Sequence, residues 1–383
     1  MDLGLNFKKL SSILLVFSLA ANLGAAVGVY NVKKYGAMAD GMTDDAKAFT
    51  SAWRRACDDK VRGIVLVPRG VYLVSLAKFE GPCKRPIYFI LQGRIMASPG
   101  LSMADRESWI TFQTINKLTL EGNGVFHGQG DSVWSKNECP NGYNCSLPIS
   151  LKFNFLNDSI IEGIQSIDSK YFHIHLFGCN NLKMKSINIT APKDSPKTDG
   201  IRIENSQNIE ISSSMIGTGD DCVSLAQGSK FINIKDVVCG PGHGIMFGVN
   251  VRNCTFIETE NGVRIKTWPD SSSGSVSNIT FDDIVMNNVE NPIVIDQQYC
   301  SNAACYLEVP SRIEISNVSF TNIRGTSASK VGVSLVCSSS VPCQNVKIGD
   351  INLVYNGTDG PGTSSCSNIN PILTGKQMPP PCF

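Results

Sequence analysis

Charge is scarce in this chain, histidine scarcer still, and a long apolar run occurs only near the N-terminus. Of the 383 residues, 17% are charged, and 34 basic against 33 acidic side chains leave a formal net charge of +1. That balance leaves no electrostatic footprint for nucleic acid. Four histidines face 14 cysteines. None accompanies the close pairs Cys139/Cys145, Cys300/Cys305, Cys337/Cys343 or Cys366/Cys382, which argues against zinc and for disulfides. The apolar run from Leu10 to Ala20 falls short of the ~20 residues that a membrane span requires. Hairpin signals at roughly 8–12-residue spacing are also scarce, which excludes a β-sandwich. No Pro/Gly/Ser-rich linker divides the middle of the chain.

The first 25 residues read as a signal peptide. Lys8-Lys9 is a short basic segment, Leu10 to Ala20 the apolar one, and Ala25-Ala26 offers small residues for cleavage. Residues 26–383 then form a single domain. Cleavage removes two lysines and Asp2, which takes the formal charge from +1 to about zero. All 14 cysteines follow the cleavage point, an even number suited to a disulfide framework in an oxidising compartment. Sequons at Asn144, Asn157, Asn188, Asn253, Asn278, Asn317 and Asn356 fit a secreted, extracellular glycoprotein.

After the entry Tyr35-Gly36-Ala37, Thr43 or Asp44 is placed to cap a short helix with Phe49, Trp53 and Cys57 on one face. Such a helix would close the end of a repeat, with Cys57–Cys83 as a staple. From about residue 115, short alternating segments follow, many introduced by Asn. Leu182, Ile209 and Ile232 anchor one set, and Ile279, Ile313 and Val346 another. Period-two alternation means β, and drifting spacing means variable loops on a common coil. Asn suits such turns because it tolerates the left-handed region, and stacked turns can align it as a ladder. The expected fold is all-β, a single-stranded parallel β-helix with a short N-terminal capping helix. The tail from Gly357 to Phe383 is expected to be irregular and pinned by Cys366 and Cys382.

Polar chemistry recurs on a beat of about 22 residues. Asp199 lies in Lys197-Thr198-Asp199-Gly200, and Asp220-Asp221 follow 22 later (221 − 199). His243, between Gly242 and Gly244, follows after another 22 (243 − 221), and Arg264 after 21 (264 − 243), with Lys266 two beyond. A coil rising one strand per turn would stack these positions at roughly 4.8 Å intervals and bring them into one groove. A Cys222–Cys239 bridge would tie two of the turns together. Glycosidic hydrolysis needs an acid for the leaving oxygen and a carboxylate to activate water or attack. Three crowded aspartates supply both, because like charges push at least one pKa upward. Arg264 and Lys266, outward on one strand with Ile265 inward, suit an anionic polymer about three turns, or roughly 14 Å, from Asp199. Turn aspartates or a calcium site are the competing reading of the acids. His173-Ile174-His175 resembles a metal pair, but no third ligand follows at suitable spacing; it reads as structural or as groove lining.

Taken together, these motifs resemble the polygalacturonases of glycoside hydrolase family 28, in particular the plant pollen-type exopolygalacturonase branch. The resemblance runs from Tyr35-Gly36-Ala37 to Cys382. The run Asn261-Gly262-Val263-Arg264-Ile265-Lys266-Thr267-Trp268-Pro269 and the entry segment are most similar to that branch. The resemblance implies a right-handed β-helix and inverting hydrolysis of α-1,4 bonds between galacturonate units, with no cofactor and no metal. It also implies a secreted monomer acting on pectin in the cell wall, probing neither nucleic acid nor membrane. Carried over residue by residue, Asp220 would be the general acid, and Asp199 and Asp221 would hold and deprotonate the water. His243 would orient the cluster, while Arg264, Lys266 and Tyr299 would contact substrate. Two departures stand out. Lys197 replaces the family's Asn, and an ammonium there would lower neighbouring carboxylate pKa values. The stretch from Ile245 to Asn250 also runs at once into Val251-Arg252-Asn253-Cys254, where the family carries a longer loop. Both motivate an alternative, a catalytically impaired wall protein that binds pectin. A pectate lyase on a similar coil is a third reading, without a lyase motif to support it.

Overall fold

The computed structural model describes residues 27–101, 106–135, 147–246, 250–300 and 308–382. The signal peptide, Cys139/Cys145, Asn144 and Cys305 lie outside them. Within the described residues the chain winds as stacked coils, each contributing strands to a 19-stranded and an 11-stranded sheet whose pairings are parallel. Inward positions stack like on like. Leu182 pairs with Ile209 and Ile209 with Ile232, as their alternation predicts. Aromatic rings do the same, Phe112 on Phe153 at 5.4 Å and Phe281 on Phe320 at 5.0 Å. Each fully buried Leu, Ile or Phe removes enough apolar surface from water to contribute roughly 1.5–3 kcal/mol.

One anchor is misplaced by the sequence reading. Ile279 pairs with Val318, not Ile313, and Val318 with Val346; Ile313 pairs with Gly274. Arg312-Ile313-Glu314-Ile315 and Asn317-Val318-Ser319-Phe320 carry the same alternation, so alternation cannot choose between them. The turn does: Asn278, Asn317 and Asn345 all take positive φ, at 60°, 54° and 48°. Their amides form the expected ladder, Asn345 donating to Asn317 (2.6 Å) and Asn317 to Asn278 (3.4 Å).

The capping helix runs over Ala46–Asp58 and buries Phe49, Trp53 and Cys57 against the first coils. Trp53 donates its indole N–H to the Glu80 carbonyl at 3.0 Å, and Cys57 is bonded to Cys83. The residue at the cap position is Asp45, not Thr43 or Asp44. Its carboxylate turns away to accept from the Met38 and Ala39 amides, while Asp44 accepts from the Ala46 N–H. Cys222–Cys239, Cys337–Cys343 and Cys366–Cys382 are also formed, and Cys300 is disulfide-bonded. Cys179 and Cys254, however, are free and buried, so the framework does not use every cysteine. The tail is not irregular. Thr363–Ser367 and Ile372–Met378 add strands to the two sheets, held by backbone pairing that needs no apolar alternation.

Candidate active site

The outward face of the 11-stranded sheet carries the site. Ile201 pairs with Val223, Val223 with Ile245 and Ile245 with Val263, so the inward residues fix the height of their neighbours. The first two steps are 22 residues (223 − 201, 245 − 223) and place Asp199, Asp221 and His243 in one column. The third is only 18 (263 − 245). Arg264 therefore pairs with Met246 and stands three residues farther along the strand than the 22-residue beat predicts. Its side chain still reaches back, Nη2 lying 3.2 Å from Asp221 Oδ1, with Lys266 Nζ 3.9 Å from Asp221 Oδ2. Ile265 is buried in the core between them.

Glycines flank His243 because backbone passes close on both sides. A Cβ on Gly242 (φ 149°) would lie 2.7 Å from the Asp220 carbonyl, and one on Gly244 (φ 86°) only 2.1 Å from that of Asn261. The His243 ring bridges two carboxylates, with Nδ1 3.1 Å from Asp220 Oδ1 and Nε2 3.2 Å from Glu260 Oε2. Lys197 Nζ lies 3.9 Å from the other Asp220 oxygen. Ser224 donates to Asp199 Oδ2 at 2.7 Å. The Tyr299 ring lies under both cations, 4.4 Å from Lys266 Nζ and 5.6 Å from Arg264 Cζ, and meets Trp268 edge-on.

Burial and neighbouring charge divide the carboxylates. Asp199 is pushed well above its ordinary pKa, first by burial and then by the charges of Asp220 and Asp221. Asp221 is raised by burial, against the opposing pull of Lys266 and Arg264. Asp220 feels burial too, but the His243 hydrogen bond and charge, with Lys197 behind them, outweigh it and hold the group below the usual range. His243 is raised, chiefly by its hydrogen bond to Asp220. Lys266 is lowered by burial. Burial thus favours the protonated form of Asp199, while the imidazole and Lys197 favour the ionised form of Asp220.

The seven residues singled out in the sequence converge here. Glu260, Ser224 and Arg202 escaped notice. Ser224 lies 22 after Arg202 and could have been found from the beat, whereas the 18-residue coil hides Glu260. His173 and His175 separate. His173 is wholly buried, its Nδ1 2.9 Å from Ser166 Oγ, and burial drives its pKa down to about 3. His175 sits instead in the outward row. Asp220, Asp221 and His243 present ligand atoms within 4.8 Å of one another, a spacing a cation could occupy, but Arg264 and Lys266 directed at Asp221 oppose it electrostatically. On the C-terminal side, a cavity of about 410 Å³ opens beside His243 and is lined by Glu258, Glu260 and Glu290 with Lys193. Phe247, Gly248 and Val249, where the shortened loop falls, lie outside the described residues.

Residues 57–377 match the model of the glycosyl hydrolases family 28. The chain belongs to that family. It is 44% identical over 365 residues to a polygalacturonase of Gossypium hirsutum, covering 92% of this chain and 89% of the other. It is 42% identical over 366 residues to an exopolygalacturonase of Platanus acerifolia, covering 92% and 97%. An exopolygalacturonase structure from Thermotoga maritima shares the fold at a TM-score of 0.72 and 20% identity, covering 90% of this chain and 91% of that one. The enzyme class is therefore glycoside hydrolase, and the fold is the family's β-helix.

Proposed function

We propose that the protein is a secreted polygalacturonase that hydrolyses α-1,4-galacturonosidic bonds of de-esterified pectin in the cell wall. It acts from chain ends, inverts the anomeric centre, works as a monomer and uses neither cofactor nor metal. The observation that carries the reading is the convergence of three carboxylates with Arg264 and Lys266, an acid–base cluster beside a seat for a uronate carboxylate. The resemblance of relatives such as the Platanus acerifolia exopolygalacturonase supports action from chain ends.

In this mechanism Asp220, the least buried of the three aspartates, delivers the proton to the leaving oxygen. The charged imidazole at its Oδ1 resupplies that proton, since His243 holds one to higher pH than an ordinary histidine. Asp199 and Asp221 hold the water, and their raised pKa values make them stronger bases than free carboxylates once ionised. Arg264 and Lys266 exchange Asp221 for the substrate carboxylate, with the Tyr299 ring beneath.

The test is reducing-end release from polygalacturonate by the secreted protein and by Asp220→Asn. Release by the first alone is expected, with galacturonate as the first product and no unsaturated ends. Equal, negligible release from both would favour the pectin-binding reading, which the Lys197–Asp220 contact motivates.

A further inference from the structure

The outward row that contains Arg264 continues N-terminally past the aspartates, and there it is basic. Lys152 pairs with His175, His175 with Arg202 and Arg202 with Ser224. Three basic side chains thus stand on successive coils, roughly 4.8 Å apart, on the same floor as the cluster. Lys152 and His175 are buried, at 6% and 8% exposure. Glu107 pairs with Lys152, and Glu204 lies 3.4 Å from His175 Nε2. Arg202 is half-buried, its guanidinium 5.3 Å above the Phe172 ring, and among the described residues no carboxylate lies within ion-pair distance of it. Two nearby polar atoms, His175 Nδ1 and Asn154 Oδ1, are buried without a hydrogen-bond partner.

This arrangement costs free energy as it stands. Desolvation and the flanking charges of Lys152 and Arg202 push His175 down to about pKa 4, so the ring is neutral, and two cations remain stacked around it. An anion relieves like charges in a row, while the unmatched Asn154 oxygen, an acceptor, needs a hydroxyl of the same ligand as its donor. Arg202 is the member that can reach one. It is exposed enough for contact, planar, and close enough to the cluster to act on Asp199.

We infer that Arg202, backed by His175 and Lys152, holds the carboxylate of a further uronate residue on the N-terminal side of the aspartates. The groove then grips one chain on both flanks of the scissile bond, through Arg202 on one side and Arg264 with Lys266 on the other. The inference rests on the proposed uronate-chain substrate.

The experiment uses the full-length secreted protein with trigalacturonate. Arg202→Gln is expected to raise KM about tenfold with kcat changed less than about twofold, as loss of one charge-assisted contact predicts. Arg202→Lys should recover part of the loss, and the Tm of Arg202→Gln should hold or rise because the row is relieved of repulsion. An unchanged KM accompanied by a displaced pH profile would overturn the inference, since Arg202 would then act only on Asp199. Calorimetric titration of Asp220→Asn with and without Arg202→Gln reads the same contact independently of turnover. If the parent releases no reducing ends, the hydrolase reading fails while this titration still tests the row. Equal affinity in the two titrated proteins, or no binding by either, overturns it.

Discussion

The asparagine-bearing turns and the outward floor of the 11-stranded sheet are built on the same coils, but they treat polar groups in opposite ways. Along the turns each amide finds its counterpart one coil away: Asn208 donates to Asn180 at 3.0 Å, Asn253 to Asp236 at 2.7 Å and Asn345 to Asn317 at 2.6 Å. On the floor, three aspartates crowd one another, and His175 Nδ1 and Arg264 Nε are buried without partners. Repetition satisfies the first region and is broken to make the second. The comparison teaches that the regular edges supply stability which the floor draws on to keep groups unmatched until substrate arrives.

The largest effect that sharpens this contrast is on turnover. Asp220→Asn is expected to cut kcat about 10³-fold, the scale of lost general acid catalysis, while Tm moves by only a few degrees. The ladder should show the converse. Asn208→Ala removes the bond to Asn180 and puts a side chain with no local hydrogen bond at φ 55°, at a cost of about 1–2 kcal/mol in denaturant unfolding with kcat/KM unchanged. Asn208→Gly keeps the backbone relaxed and should recover part of that loss. A ladder variant that lowers kcat as Asp220→Asn does would erase the distinction between the regions.

A smaller effect separates the floor by pH. Asp199 has a folded pKa raised above its unfolded value, so the native state holds the proton more tightly. Its contribution to stability is complete below the unfolded pKa, near 4, and is lost as pH rises through the folded value. The raised pKa of His243 works in the same sense from about pH 6.5 upward. Asp220, depressed, contributes above about pH 4 and loses that contribution as pH falls. Asp199→Asn should therefore flatten the decline of Tm on the basic side of pH 4 and leave the acid limb in place. An unaltered slope would mean that the buried proton is not on Asp199.

The extent to which sequence exposed these regions follows from what repeats. Asp199, Asp221 and His243 were legible because two coils happen to share a length of 22, and the glycines around His243 mark close backbone contact. Arg264 was found for a partly mistaken reason: its coil is four residues shorter than the others (22 − 18), and only the reach of an arginine side chain restores the contact. Ile313 and Val318 carry the same alternation, and only the asparagine turn at Asn317 selects Val318 as the partner of Ile279. The tail strands had no signal, since Ser- and Gly-rich segments pair through backbone groups that every residue carries. Tyr299 could be placed only by resemblance, because its meeting with Lys266 depends on a loop whose path alternation does not encode.

Glu260 tests the boundary between the two regions, because it was invisible in the sequence and yet touches the machinery. It follows Thr259, whose backbone pairs with Gly242 beside His243, and engages the far nitrogen of the same imidazole at 3.2 Å. Its carboxylate is about half exposed, so water and salt screen its pull on His243. Removing that negative charge lowers the imidazole pKa, and a mechanism that draws on the His243 proton must then lose activity at lower pH. Glu260→Gln is expected to move the basic limb of kcat against pH down by roughly half a unit, with the acid limb unmoved. The displacement should shrink as ionic strength rises. A basic limb that stays put at low salt would separate His243 from the proton path and leave it as a spacer between two carboxylates.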